Sequence, residues 1–387
     1  MRLVVVSHKS CWPSSASPTG YATDGGFPLQ MRALSELFDE TRIVVPCERT
    51  RRPAGERPVT GRNVTVVPLT PLTARDGARK ARLPMWTLRN LGTLVQEING
   101  ADAAHTPIPG DVGTIGMLVA LACRKPLFVR HCGNWNVRAT PAERFWGWIM
   151  QRAAGGRNVM LATGGAEAPP SANPANRWIF STSLTEREIE MLDVPREAPR
   201  SGSVRLVIAC RQDAPKGTGV VIESLPLVRR TIPGATLEVV GDGPDLAAFK
   251  VLAARYGVES CVRFHGAVGH ERVLDLLRQA DLFCYPTAAS DGFPKAVLEA
   301  LACGLPVIAT PVSVLAVLLR DGAGRLIPAP TPDALAAAVI DCLSDARTYI
   351  EMSRRARETA RRYSLERWQQ ELRALLSAAW GPLQSHA

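Results

Sequence analysis

The chain has 387 residues, 46% of them hydrophobic and 21% charged, with a formal net charge of +10. That length suits two domains of ordinary size, and no apolar run is long enough to span a bilayer. The nine cysteines are odd in number and form no C-x-x-C pair, which argues for reduced thiols and against a disulfide framework or a zinc site.

Much of the positive excess lies between Arg49 and Arg89. There Arg51, Arg52, Arg57, Arg62, Arg75, Arg79, Lys80 and Arg82 face only Glu56 and Asp76. Such a run suits an anionic membrane surface or an acidic acceptor, or simply a solvated Arg-rich face. Aromatics make up 6% and do not interleave with the run, so nucleic acid is the weakest of the candidate partners. The opening Met-Arg-Leu-Val-Val-Val-Ser is too short for a signal peptide and reads as a first strand. The expectation is a cytoplasmic protein, with peripheral contact at the inner face of the cell membrane as an option.

In chain order, residues 3–7 predict a strand and Ser7–Gly26 a polar loop. From Phe27, the stripe Met31, Leu34, Leu37, Phe38 predicts an amphipathic helix. Strand, Gly25-Gly26, helix is the opening of a nucleotide-binding α/β fold, but it lacks G-x-G-x-x-G, so a dinucleotide cofactor is not indicated. Ile43–Val45 and Val64–Val67 predict strands, Leu72–Arg82 a mobile polar segment, and Trp86–Ile98 a helix. Ala101–Thr106 and Pro126–His131 read as strands around an apolar helix at Thr114–Cys123. A Trp-rich helix at 144–152 and strands at 158–162 and 177–181 complete a first α/β half. Ser183 and Glu186 read as a capping box, and Asp193–Ser203 as a linker.

The second half repeats the pattern. Strands are expected at Val204–Ala209, Thr236–Val240, Val262–Gly266 and Asp281–Pro286, alternating with helices that include Pro226. Ser290–Thr310 then reads S-D-G-F-P-K-A-V-L-E-A-L-A-C-G-L-P-V-I-A-T. Pro294 suits a first helical turn, Gly304 a left-handed cap, and Val307–Ala309 a buried strand. Asp291 precedes the helix and Glu299 lies inside it. A helix N-terminus flanked by two carboxylates suits a ligand with phosphate at its middle and hydroxyls at both ends. Helices at Thr331–Leu343, Ala346–Tyr363 and Ser364–Trp380 finish the chain.

This stretch resembles the signature of retaining glycosyltransferase family 4 (glycosyl transferases group 1): an acid, seven residues, then Glu, followed by A-x-A-C-G-x-P-V-I-A. Asp291 stands one methylene short of the usual first Glu. The resemblance covers the C-terminal half well and the N-terminal half loosely. It implies an α/β chain of the GT-B fold, with two Rossmann-like domains facing across a cleft. The expected bounds are 1–198 for the acceptor side, 199–363 for the donor side, and 364–387 as a terminal helix returning to the first domain.

By the same resemblance, Gly25 and Gly26 would approach the donor, and Arg211 and Lys216 would grip its diphosphate. Asp291, Gly292, Phe293, Pro294 and Lys295 would hold the transferred sugar, and Glu299 the ribose. Gly266 and Val268 would lie at the base, with His131 and Asp291 at the reaction centre. No permanent cofactor is implied, only a nucleotide-diphosphate sugar as co-substrate. Without any D-x-D, no metal is called for. The acceptor would be a glycan, a lipid-linked group or a small molecule, and the displacement front-face with retention. Where the family carries a Gly-Gly pair and then a Glu, this chain has Ser313-Val314 and Val317. That departure and Asp291 leave two rivals: a degenerate member that binds without turnover, and a sugar-nucleotide epimerase on the same fold.

Overall fold

The computed structural model describes residues 1–50, 56–72, 76–165, 171–199, 202–289 and 292–383, without the side chains of residues 76 and 77. The chain divides into two compact units, Met1–Ser183 with Leu365–Ala387, and Leu184–Ser364. Each is built on one parallel sheet.

The first sheet has seven strands: β1 (Arg2–Val6), β2 (Glu40–Pro46), β3 (Val64–Leu69), β4 (Ala103–Ile108), β5 (Leu127–His131), β6 (Asn158–Ala162) and β7 (Asn176–Trp178), in the order β7-β6-β5-β4-β1-β2-β3. The second has six: β8 (Ser203–Ala209), β9 (Gly234–Val240), β10 (Val262–Gly266), β11 (Leu282–Tyr285), β12 (Val307–Ala309) and β13 (Gly324–Leu326), in the order β10-β9-β8-β11-β12-β13. Every pairing in both sheets is parallel.

The strands read as continuous apolar runs because helices cover both faces. In the second unit Val204, Leu206 and Ile208 of β8 pack with Leu237 and Val239 of β9. Val221, Ile222, Leu225 and Val228 from the Thr218–Thr231 helix close the same core. Each sheet's order reverses once, between β1 and β4 and between β8 and β11. The carboxyl ends of strands beside such a reversal open a crevice, the usual ligand position in this architecture.

Several local expectations are corrected. Residues 76–82 are helical rather than loose, since the helix runs Asp76–Gly100 and continues past Pro84. Arg79 is tied to Asp111 (2.8 Å), and Leu83 and Trp86 pack on the core, so this polar run is held by its apolar stripe. The capping box lies two residues further on: Thr185 accepts from the Glu188 N–H, and Glu188 accepts from the Thr185 N–H. Pro294 is the N-cap rather than part of the first turn, and the helix runs Lys295–Ala302.

The expected Ser7–Gly26 loop holds Trp12–Pro13 and Tyr21–Thr23, which form a small antiparallel sheet with Arg57–Pro58. Ser17 Oγ and Thr19 Oγ1 both donate to the Val59 carbonyl, at 2.9 and 2.8 Å, and pin its edge.

The stretch from Asp193 is bound to the second unit. Asp193 pairs with Arg357 at 2.8 Å. The Arg196 guanidinium donates to the carbonyls of Cys303 (2.8 Å), Ala280 (2.5 Å), Leu277 (2.8 Å) and Arg278 (3.0 Å). It thereby satisfies orphan carbonyls at the ends of the helices His270–Gln279 and Lys295–Ala302.

The last helix, Leu365–Trp380, packs on the first unit. Gln369 donates to the Ala33 carbonyl (2.7 Å), Trp380 Nε1 to the Arg157 carbonyl (2.8 Å), and Arg130 lies over the Trp368 ring at 5.5 Å. Among the described residues no helix is long and apolar enough to cross a membrane.

Candidate active site

In the second unit the loops that follow β8, β9, β10, β11 and β12 all leave the carboxyl edge of one sheet, around the β8/β11 reversal. The first carries Arg211 and Lys216. Arg211 extends into solvent, with its Nε 3.1 Å from Asp213. Lys216 ends a single 3₁₀ turn, Ala214–Lys216, and Gly217 follows at φ 92°. A Cβ on Gly217 would stand 2.4 Å from the Pro286 carbonyl oxygen, so only glycine lets this turn sit against the loop after β11. The Ala288 and Ala289 N–H groups donate to the Pro215 carbonyl, at 2.8 and 3.1 Å. The lysine turn and the loop entering the signature are therefore one bonded piece.

Gln212, which the sequence reading passed over, holds this edge together. It is fully buried. Its Nε2 donates to the Cys210 and Val240 carbonyls at 3.0 Å each, and its Oε1 accepts from Thr218 Oγ1 at 2.8 Å. Its place three residues past the end of β8, beside Arg211, was the available signal.

The signature helix begins at Lys295, behind buried Gly292, Phe293 and Pro294. Ser290 and Asp291 lie outside the described residues, as do Arg51, Arg52 and Arg75 of the basic run. Phe293 packs on Tyr363 with ring centroids 5.5 Å apart. One turn into the helix, the Glu299 carboxylate is only 12% exposed and lies 3.7 Å from His270 Nδ1. His270 opens the helix behind the Gly266–Gly269 turn, where Gly266 adopts φ 66° and Val268 is half-buried. A His directly after a Gly turn carries no pattern of its own; only the fold brings it to Glu299. Cys303 is a packing residue, its thiol pushed up to about 12 by burial.

Lys216, Arg211, Gly292, Phe293, Pro294, Lys295, Glu299, Gly266 and Val268 thus share one sheet edge, while Gly25, Gly26 and His131 belong to the first unit. Gly26 caps the Phe27–Ser35 helix. Gln30 of that helix accepts from Arg130 Nη2 at 2.9 Å, which fixes the helix against β5. His131 ends β5 and is 6% exposed. Trp135 meets its ring edge-on at 5.5 Å. Burial lowers its pKa to about 4, against an upward pull from the Gly133 backbone, so it is neutral at pH 7. Its Nδ1 has no well-formed hydrogen bond among the described residues.

His8 was also missed, although it lies two residues past the end of β1 at the β1/β4 reversal. A Cβ on Gly110 would lie 2.5 Å from its Nδ1, so the glycine admits the ring. Burial, then Arg79 and Lys9, lower the His8 pKa.

The arrangement offers cations and a helix N-terminus to a diphosphate, and a carboxylate to a diol. The family profile described as "Glycosyl transferases group 1" matches residues 195–363. A phosphatidyl-myo-inositol mannosyltransferase of Mycobacterium tuberculosis (strain ATCC 25618 / H37Rv) is 33% identical over 146 residues, a match spanning 38% of each chain. A GDP-mannose-dependent alpha-(1-6)-phosphatidylinositol monomannoside mannosyltransferase of Mycolicibacterium smegmatis is 31% identical over 324 residues, covering 76% of this chain and 82% of that one. Among solved structures, Anabaena HepE in complex with UDP and glucose superposes with a TM-score of 0.69 at 16% identity, over 98% of this chain and 100% of that one. With its two parallel α/β units and its signature helix, the chain belongs to the glycosyl transferases group 1 family and has the GT-B fold.

Proposed function

We propose that the chain is a retaining glycosyltransferase that moves a sugar from a nucleotide-diphosphate donor to an acceptor hydroxyl. The observation that carries this reading is the single edge shared by Lys216, the Gly292–Lys295 turn and Glu299. Lys216 and Arg211, with the N-terminus of the Lys295–Ala302 helix, stabilise the diphosphate as its bond to the sugar breaks. They supply positive charge without a metal. Glu299 accepts hydrogen bonds from the ribose diol, and Asp291 from the transferred sugar. Neutral His131 donates or accepts a hydrogen bond near the anomeric carbon. The leaving phosphate oxygen takes the acceptor proton in a front-face displacement.

GDP-mannose is the first donor to try, because two relatives carry mannosyltransferase names and one names that donor. The acceptor is a lipid-linked or glycan hydroxyl reached from the cytoplasmic face of the membrane. A pocket of about 520 Å³ lined by Arg49, Arg82 and Arg89 with Leu72, Met85 and Trp86 supports contact with an anionic lipid surface. Leu88, 70% exposed on the same helix, supports it too. Salt-sensitive sedimentation with phosphatidylglycerol vesicles, lost in an Arg82→Glu, Arg89→Glu variant, is the expected result; equal binding by that variant removes this surface from the reading.

The main test is thermal unfolding against UDP-, GDP-, ADP- and dTDP-sugars. A donor at 100 times its dissociation constant stabilises by about 2.7 kcal/mol. One donor should shift the wild type and fail to shift Lys216→Ala. If no donor shifts the well-folded wild type, the donor reading falls. Binding without transfer or donor hydrolysis would mark a degenerate member, and sugar conversion without acceptor an epimerase.

A further inference from the structure

We infer that Ser313 is a positioning residue of the donor loop, and this rests on the donor reading above. β12 ends at Ala309, and the chain then turns back across the loop that leaves β11. Two side-chain straps join these loops. Thr310 Oγ1 donates to the Thr287 carbonyl at 2.5 Å, and Ser313 Oγ donates to the Gly292 carbonyl at 3.1 Å. Gly292 stands directly before Phe293, Pro294 and the signature helix, so the second strap grips the turn that presents N–H groups to the ligand.

Ser313 does this from φ 55°, one of three non-glycine residues with positive φ among the described residues. A side chain in that region is disfavoured, and glycine would adopt it freely. Here the strained residue persists where the family pattern places a glycine. Strain of this kind survives only when its surroundings over-determine it, and it gathers where geometry matters for function. What serine adds over glycine is the hydroxyl, and the hydroxyl goes to Gly292. The backbone bend that a glycine would give is kept, and a rigid tie to the donor turn is added. This chain's departure from the glycine pair is therefore a different way of fixing the same loop.

The test compares Ser313→Gly and Ser313→Ala with the wild-type full chain. Glycine removes both strain and strap; alanine removes the strap and keeps the strain. Amide hydrogen exchange across residues 292–295 should be about ten-fold faster in both, as expected for loss of one tie worth about 1.4 kcal/mol. With GDP-mannose, kcat should fall about ten-fold, while the affinity for GDP alone stays within about two-fold, because the strap serves sugar geometry rather than diphosphate grip. Ser313→Gly should unfold at a higher temperature than Ser313→Ala. Unchanged exchange and unchanged kcat in Ser313→Gly overturn the inference. If the wild type neither binds GDP nor uses GDP-mannose, the choice of donor fails instead, and the exchange comparison still decides the strap.

Discussion

His270 Nδ1 and the Glu299 carboxylate lie 3.7 Å apart, although 29 positions separate them in the chain. The pair joins the turn after β10 to the signature helix. Replacing Glu299 with Gln keeps the shape and removes the charge. The dissociation constant of GDP should rise about 10- to 100-fold, the range for losing charge-assisted hydrogen bonds to a diol. Calorimetry on Glu299→Gln, His270→Ala and the double variant checks this. A coupling energy of about 0.5 kcal/mol or more would show that the two act together, and strict additivity that they do not.

Lys216 should matter more than Arg211. Arg211 has 71% of its side chain exposed and is paired with Asp213, so solvent and partner screen it. Lys216 is half-buried, on the turn bonded to the loop after β11. Lys216→Ala should lower kcat/KM at least about ten-fold more than Arg211→Ala. Equal losses would mean that the exposed arginine folds onto the diphosphate when donor binds.

Removing Arg196 should cost about 2–3 kcal/mol of stability, because its guanidinium serves four carbonyls at two helix ends. Arg196→Lys should rescue little, since an ammonium cannot reproduce the planar fork. Urea unfolding of both variants measures this. A loss under about 0.5 kcal/mol in Arg196→Ala would show that water takes over those carbonyls.

His131 predicts an acid limb in the stability profile. Its folded pKa is about 4 because burial disfavours the charged ring, below an unfolded value of about 6.5. Between those values the unfolded chain binds the extra proton, so stability falls as pH drops from about 6.5 towards 4. The full effect is about 3 kcal/mol below the folded value. Burial holds His105 down in the same direction. His131→Asn should flatten the limb measured by urea midpoints between pH 7 and pH 5. An unchanged slope would assign the limb to His105 and His8, which burial shifts in the same direction.

Most of the α/β alternation was legible, because the strands are continuous apolar runs and the Gly and Pro residues mark their ends. The signature helix, apart from its first residue, and β12 sit where periodicity puts them, while the lysine turn was indicated only by the family resemblance. What stayed hidden has physical causes. The strands at Trp12–Pro13 and Arg57–Pro58 have two residues each, too few to show a period. The 76–82 turns looked loose because arginine and lysine dominate the text, yet the helix they open is anchored by Leu83 and Trp86 on the core and by the Arg79–Asp111 pair. At Thr185 two overlapping capping patterns compete, and only the packing of Ile189 and Leu192 selects the second. His8 and Gln212 lie shortly after strand ends, a signal of position that no motif reinforces, and His270 gains its meaning only from the fold that brings it to Glu299.

The return of Leu365–Trp380 to the first unit has a consequence for how the molecule is made. Residues 1–183 emerge first from the ribosome but lack the helix that supplies Trp368, Leu372 and Leu376, all of them buried in the finished chain. The second unit is contiguous, so all of its residues are available before that helix appears. The half that starts first is then the half that finishes last, and a chain cut before Leu365 would leave an apolar face uncovered and prone to aggregate.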